Sequence, residues 1–137
     1  MGQLSVKRFT AADERRPFVE RGYADILDFD SGVVGQAVFE PGWRWSSHVK
    51  PIAGTESCQS SHACYVVSGR LHVVMDNGEE ADLEPGDVAM IPPGHDAWTV
   101  GAEPCVSLDF AGMEHYAQKQ PEKPREAEAE AAAPTTH

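Results

Sequence analysis

Cations are scarce in this 137-residue chain: 11 Lys and Arg stand against 22 Asp and Glu, a formal net charge of −11. Residues 1–113 hold 17 acids and 8 bases, and the remainder holds 5 and 3. No basic patch survives that balance, which argues against a nucleic-acid or anionic-membrane partner. Long apolar runs are missing too, so nothing reads as a signal peptide or a membrane span. Cysteine is limited to Cys58, Cys64 and Cys105, an odd number without CxxC spacing. That usage points to free thiols in a reducing, cytoplasmic setting. No helix of useful length interrupts the run from Gly22 to Phe110, which argues against βαβ units.

What is present is a series of short apolar segments separated by turn residues. "ADILDF" precedes "DSG", "VVGQAVF" precedes "EPG", and "HACYVVS" runs into Gly69. "RLHVVM" ends at "DNGEE", "DVAMI" at "PPG", "AWTV" at "GAEP", and "CVSLDF" closes the series. Seven or eight strands at this spacing predict an all-β antiparallel sandwich or barrel. The length allows one domain with a real core. Its expected bounds are an N-terminal segment 1–22, a β domain 23–113 and a disordered tail 114–137. The tail, "EHYAQKQPEKPREAEAEAAAPTTH", has no aliphatic β-branched residue and cannot repay its ordering entropy by burial. In the N-terminal segment, "TAADERR" offers Thr10 as an N-cap for one or two helical turns.

The turn chemistry is specific. Asn77-Gly78 can supply the positive φ values of a hairpin. Pro85-Gly86 suits a type II turn, and Pro92-Pro93-Gly94 ends a strand because proline cannot donate to the ladder. In "GWRWSSHVK", Gly42 is followed after five residues by His48, with "VVSGR" downstream. In "GDVAMIPPG", Gly86 is followed after five residues by Pro92, and Gly94 comes one residue later. These two stretches resemble the signature motifs of the cupin superfamily, small jelly-roll β-barrels, over roughly residues 33–110.

The resemblance implies a metal site built from inward-pointing side chains of neighbouring strands, and an exposed sheet edge that pairs into a homodimer. His48 fits the first family histidine. The second histidine position holds Lys50, the glutamate position holds His62, and the last histidine position holds Ala97, with His95 on the same strand face. Eleven residues, "PIAGTESCQSS", separate Lys50 from His62 where the family has three or four. The expected metal ligands are therefore His48, His62 and His95, the last by a register shift after Pro93. His and carboxylate ligands in such a site suit divalent iron, manganese, nickel, copper or zinc. Lys50 either contacts an anionic ligand or faces away, in which case Glu56 or Cys58 from the inserted loop fills the gap. A thiol near two imidazoles favours zinc or copper.

If a strand runs from Cys58 without a bulge, Cys58, Ser60, His62, Cys64 and Val66 share one face. If Trp43 to His48 is a regular strand, Arg44 and His48 turn to the interior and Trp43 and Trp45 to the other side. Arg44, Lys50, Cys58, Cys64 and Trp98 are the expected ligand-pocket residues. Two functions follow as expectations. One is a metal-binding small cupin, possible as a metal-dependent oxygenase, isomerase or lyase acting on a small anionic molecule. The other is a non-catalytic module that binds or senses a small molecule without a metal.

Overall fold

The computed structural model describes residues 3–119. Among these residues nine strands form two antiparallel sheets. In chain order they are β1 Glu14–Pro17, β2 Gly22–Phe29, β3 Gly32–Phe39, β4 His62–Ser68, β5 Arg70–Met75, β6 Glu80–Leu83, β7 Val88–Ile91, β8 His95–Val100 and β9 Cys105–Asp109. The larger sheet has the order β1-β2-β3-β9-β4-β7, and the smaller one β6-β5-β8. Each apolar segment in the sequence becomes one strand, and period-two alternation decides what it buries. β4 buries His62, Cys64 and Val66, while β8 buries His95, Ala97 and Thr99.

Side chains from both sheets join one core, with Ile26, Phe39 and Val66 from the larger facing Leu71, Val73 and Ala97 from the smaller. Gly86 has φ +92°, and Asp87 N–H donates to Glu84 O at 3.0 Å, so Pro85-Gly86 makes the expected turn into β7.

Three expectations change. "GWRWSSHVK" is not a strand. Arg44 makes an isolated bridge to Trp98, and the chain then winds into two short helices, α1 Trp45–His48 and α2 Lys50–Ala53. Trp43 and Trp45 lie inside at 1% exposure each, whereas Arg44 lies outside, the reverse of the face assignment. Burying two indoles removes far more apolar surface from water than burying a guanidinium, which must also be desolvated. Truncating either indole to alanine would cost about 3–5 kcal/mol.

"TAADERR" gives only a 3-10 turn, Phe9–Ala11, with no side-chain cap, before β1 begins at Glu14. The N-terminal segment is thus part of the larger sheet, pairing with β2 from Glu14↔Ile26 to Pro17↔Tyr23.

The chain beyond 113 does not leave the body at once. Tyr116 and Ala117 are buried, and the Arg16 guanidinium donates to Met113 O at 2.5 Å and Tyr116 O at 3.0 Å. One aromatic ring and an anchored backbone outweigh the polar composition there. The rest of the expected disordered tail, 120–137, lies outside the described residues.

Candidate metal centre

The inserted loop does not form a continuation of β4. It folds back so that Cys58 bridges His95 at the start of β8: Cys58 N–H donates to His95 O at 2.8 Å, and Gly94 N–H to Cys58 O at 2.6 Å. His62, the first residue of β4, reaches the same spot from the opposite sheet. Cys58 Sγ and His62 Nε2 lie 3.7 Å apart, and the His62 and His95 rings stand 5.3 Å apart at 69°. One potential ligand atom from each of Cys58, His62 and His95 lies within 4.8 Å of the other two, and all three residues are buried.

Each imidazole is oriented from behind. The His62 Nδ1–H donates to Asp109 Oδ2, and the carboxylate's other oxygen accepts from Ala111 N–H at 3.0 Å and Ala63 N–H at 3.4 Å. The His95 Nδ1–H donates to Pro92 O at 2.9 Å. With Nδ1 occupied, Nε2 of each ring is the nitrogen free to bind a metal, and a carboxylate behind a histidine is the usual way such a ligand is fixed. Tetrahedral ligation by sulfur and nitrogen places those two atoms about 3.6 Å apart, close to the observed Cys58–His62 separation. The donor set fits a divalent ion.

Without an ion, the electrostatics favour a thiolate–imidazolium pair, whose Nε2 proton an incoming metal would displace. Burial opposes the Cys58 thiolate, yet hydrogen bonds from His62 and His95 overcome it and bring the thiol down from 9.0 to about 6. Burial likewise opposes the His62 imidazolium, and Asp109 and Cys58 together raise that ring to about 9. By contrast, burial raises Cys64, and it pushes Cys105 up to about 12. Cys58 alone of the three thiols is primed as a thiolate.

Between the sheets lies a cavity of about 40 Å³, lined by His62, His95, Asp109, Trp43, Trp45 and Tyr116 among others. That is space for roughly three water centres at ~10–15 Å³ each. The Tyr116 ring packs edge-on against His62, with centroids 5.3 Å apart. Its hydroxyl is held well above the usual phenol pKa by burial and by the Cys58 and Asp109 charges. Gly112 lets the chain cross close to His62, because a Cβ there would lie 1.9 Å from Ser61 O.

The structure brings His62 and His95 together and does not bring His48 to them. His48 ends α1, where its Nδ1 accepts Arg44 N–H at 3.0 Å and its Nε2 lies 4.0 Å from a Glu20 carboxylate oxygen. Lys50 pairs with Glu56 at 2.9 Å outside the cavity. Trp98 is on the outer face of β8, between the Arg44 guanidinium (4.2 Å) and the His72 ring (4.8 Å). Period two puts it opposite His95, so neither it nor Arg44 lines the cavity. Cys64 does line it.

His95 needs no register shift. The cluster forms around its own position on β8, one inward step from Ala97, because Cys58 supplies a donor there. Sequence reasoning does not single out Asp109; the available signal is an acid near the end of the apolar segment "CVSLDF", which the structure buries.

The cupin domain family matches residues 48–110. No curated protein matches the chain. Among solved structures, the polyketide cyclase RemF from Streptomyces resistomycificus is similar with a TM-score of 0.57 and 21% identity, over 82% of this chain and 81% of that one. A Rhizobium leguminosarum bv. viciae protein of unknown function has a TM-score of 0.57 and 14% identity, over 80% and 98%. Oxalate decarboxylase from Bacillus subtilis has a TM-score of 0.54 and 22% identity over 76% of this chain. The chain spans only 27–28% of the length of the oxalate decarboxylase chains. At these identities the likeness shows the fold and leaves the reaction open. Residues 48–110, which contain Cys58, His62 and His95, are thus similar to the cupin domain family.

Proposed function

We infer that this is a metal-binding cupin, a jelly-roll barrel in which Cys58, His62 and His95 hold one divalent transition ion beside a small buried cavity. A single observation carries the reading: two imidazoles, each tied at Nδ1 to an acceptor, leave their Nε2 atoms beside a thiol whose pKa is depressed. Thiolate with imidazole favours zinc or copper over the harder ions. Bound there, the ion would supply Lewis-acid polarisation of an oxygen-bearing small molecule.

The chain's own residues do the rest. Asp109 holds the His62 ring in one tautomer, and Pro92 O does so for His95. Trp43, Trp45, Met113 and Tyr116 wall the cavity and exclude bulk water. Tyr116, kept protonated, remains a hydrogen-bond donor. Similarity to a decarboxylase and a cyclase is compatible with a metal-dependent enzyme of lyase or isomerase type. The test is metal analysis of untagged protein purified without an affinity column. Near-stoichiometric metal that disappears in His62→Ala supports the reading, and metal far below one per chain in the unaltered protein overturns it.

A non-catalytic module that holds a small ligand without a metal is the second reading, favoured by the tightness of the cavity. Turnover assays on the metal-loaded protein separate the two. Among the described residues no helix is long and apolar enough to cross a membrane. Acidic charge and buried cysteines outside any disulfide fit a cytoplasmic protein that avoids nucleic acid and membranes. Tyr65, Val67, Val88 and Met90 are exposed along β4 and the edge strand β7, where a homodimer would cover them. Light scattering that gives a monomer mass would remove that part of the proposal.

A further inference from the structure

A single layer of chain separates the cavity from solvent beside His62. After Phe110 the chain joins no sheet, yet Met113 and Tyr116 turn inward and line the cavity, while Glu114 and His115 face solvent. Among the described residues, the one backbone–backbone hydrogen bond of 112–119 is Gln118 N–H to His115 O at 3.2 Å. Ala117 has φ +56°, a left-handed conformation that strains a residue other than glycine. The rest of the wall is strand, or the Trp43–Trp45 stretch that bridges to β8.

The ties that hold this strap are few and local. Arg16, on the edge strand β1, donates to Met113 O and Tyr116 O, and the Glu14 carboxylate aligns its guanidinium at 2.9 and 3.1 Å. Gln118 Nε2 adds a 3.3 Å bond to Glu14. Met113 lies against Gly35 of β3, where a Cβ would come within 2.6 Å of its Cγ. A segment with so little backbone pairing opens at lower cost than the sheets behind it. We propose that residues 113–118 are a gate over the cavity, latched by Arg16 and hinged at Gly112, which opens while both sheets stay folded. Gly112 has φ +89° and no side chain to obstruct rotation, and Phe110 N–H stays fixed to Ala63 O at 2.9 Å on the sheet side of the hinge. That the gate admits an ion rests on the metal-binding reading; the opening itself does not.

The test is thiol labelling of the metal-free full chain by methyl methanethiosulfonate in sub-denaturing urea, with initial rates at each cysteine read by peptide mapping. Cys64 lines the cavity and reports the gate. Cys105 lies outside the lining, about 13 Å along β9 from Asp109, and reports global unfolding. Cys64 rates should depend weakly on urea, because a gate exposes little surface, whereas Cys105 rates should follow the steep slope of the global transition. Arg16→Ala should speed Cys64 labelling about 10–100-fold and keep its shallow slope. Gly35→Ala leaves Arg16 intact and displaces Met113 from the β3 side, so it should also speed Cys64. A Cys64 slope as steep as that of Cys105, or Cys64 rates unchanged in both variants, overturns the gate. Zinc that fails to bind would remove the metal reading while these rates still decide the gate.

Discussion

Asp109 fixes His62: its carboxylate takes the Nδ1–H of a ring whose Nε2 lies 3.7 Å from the Cys58 sulfur. The two residues come from strands that pair directly, β4 and β9, with Cys64 opposite Asp109 in the register. Sheet pairing, rather than a flexible loop, thus sets the orientation of the imidazole.

Asp109→Asn keeps the shape of the side chain and removes its charge. It should lower metal affinity about 10–100-fold while leaving the fold intact. Competition with a chromophoric chelator, alongside a thermal melt, reads both effects.

Metal-stripped protein should show one thiolate titration near pH 6. Cys58 is depressed to about 6, so its thiolate is populated above that pH and lost as pH falls through it. Cys64 is raised and Cys105 is pushed up to about 12, so both stay protonated through this range. Ultraviolet thiolate absorbance measures the step, and Cys58→Ser should abolish it. A first step near pH 9 in the unaltered protein would mean that the imidazoles do not stabilise the sulfur.

His48→Ala and Lys50→Ala should each leave metal content unchanged. His48 is engaged by Arg44 N–H at the end of α1, and Lys50 by Glu56 outside the cavity. Elemental analysis of the two variants checks this, and a loss of metal in His48→Ala would restore that histidine to the ligand set.

Arg16→Ala should destabilise the protein by about 1.5–3 kcal/mol, the range for a hydrogen bond to a charged group. Its buried guanidinium clamps Met113 O and Tyr116 O, and so holds the segment that closes the cavity beside His62. Urea denaturation gives the loss in stability.

The fold was legible because strands announce themselves locally: the alternation of His62, Cys64 and Val66, or of His95, Ala97 and Thr99, is the face that the sheets bury. The Pro85-Gly86 turn was legible for the same reason. "GWRWSSHVK" was misjudged because its alternation also suits a strand, whereas the tertiary gain from burying both indoles bends it into a turn and α1.

The site was half legible. His62, His95 and Cys58 were all candidates, but their convergence depends on how the inserted loop returns to β8, a long-range pairing that spacing does not encode. Asp109 acts only through a cross-strand contact, and Tyr116 came from a segment whose composition predicted disorder.

X-ray absorption spectroscopy at the edge of the bound metal addresses the ligand set most directly. Zinc-loaded protein should show one sulfur neighbour at about 2.3 Å and imidazole nitrogens at about 2.0–2.1 Å, with the sulfur lost in Cys58→Ser. A shell of nitrogen and oxygen alone in the unaltered protein, identical in Cys58→Ser, would contradict a centre built on Cys58, His62 and His95.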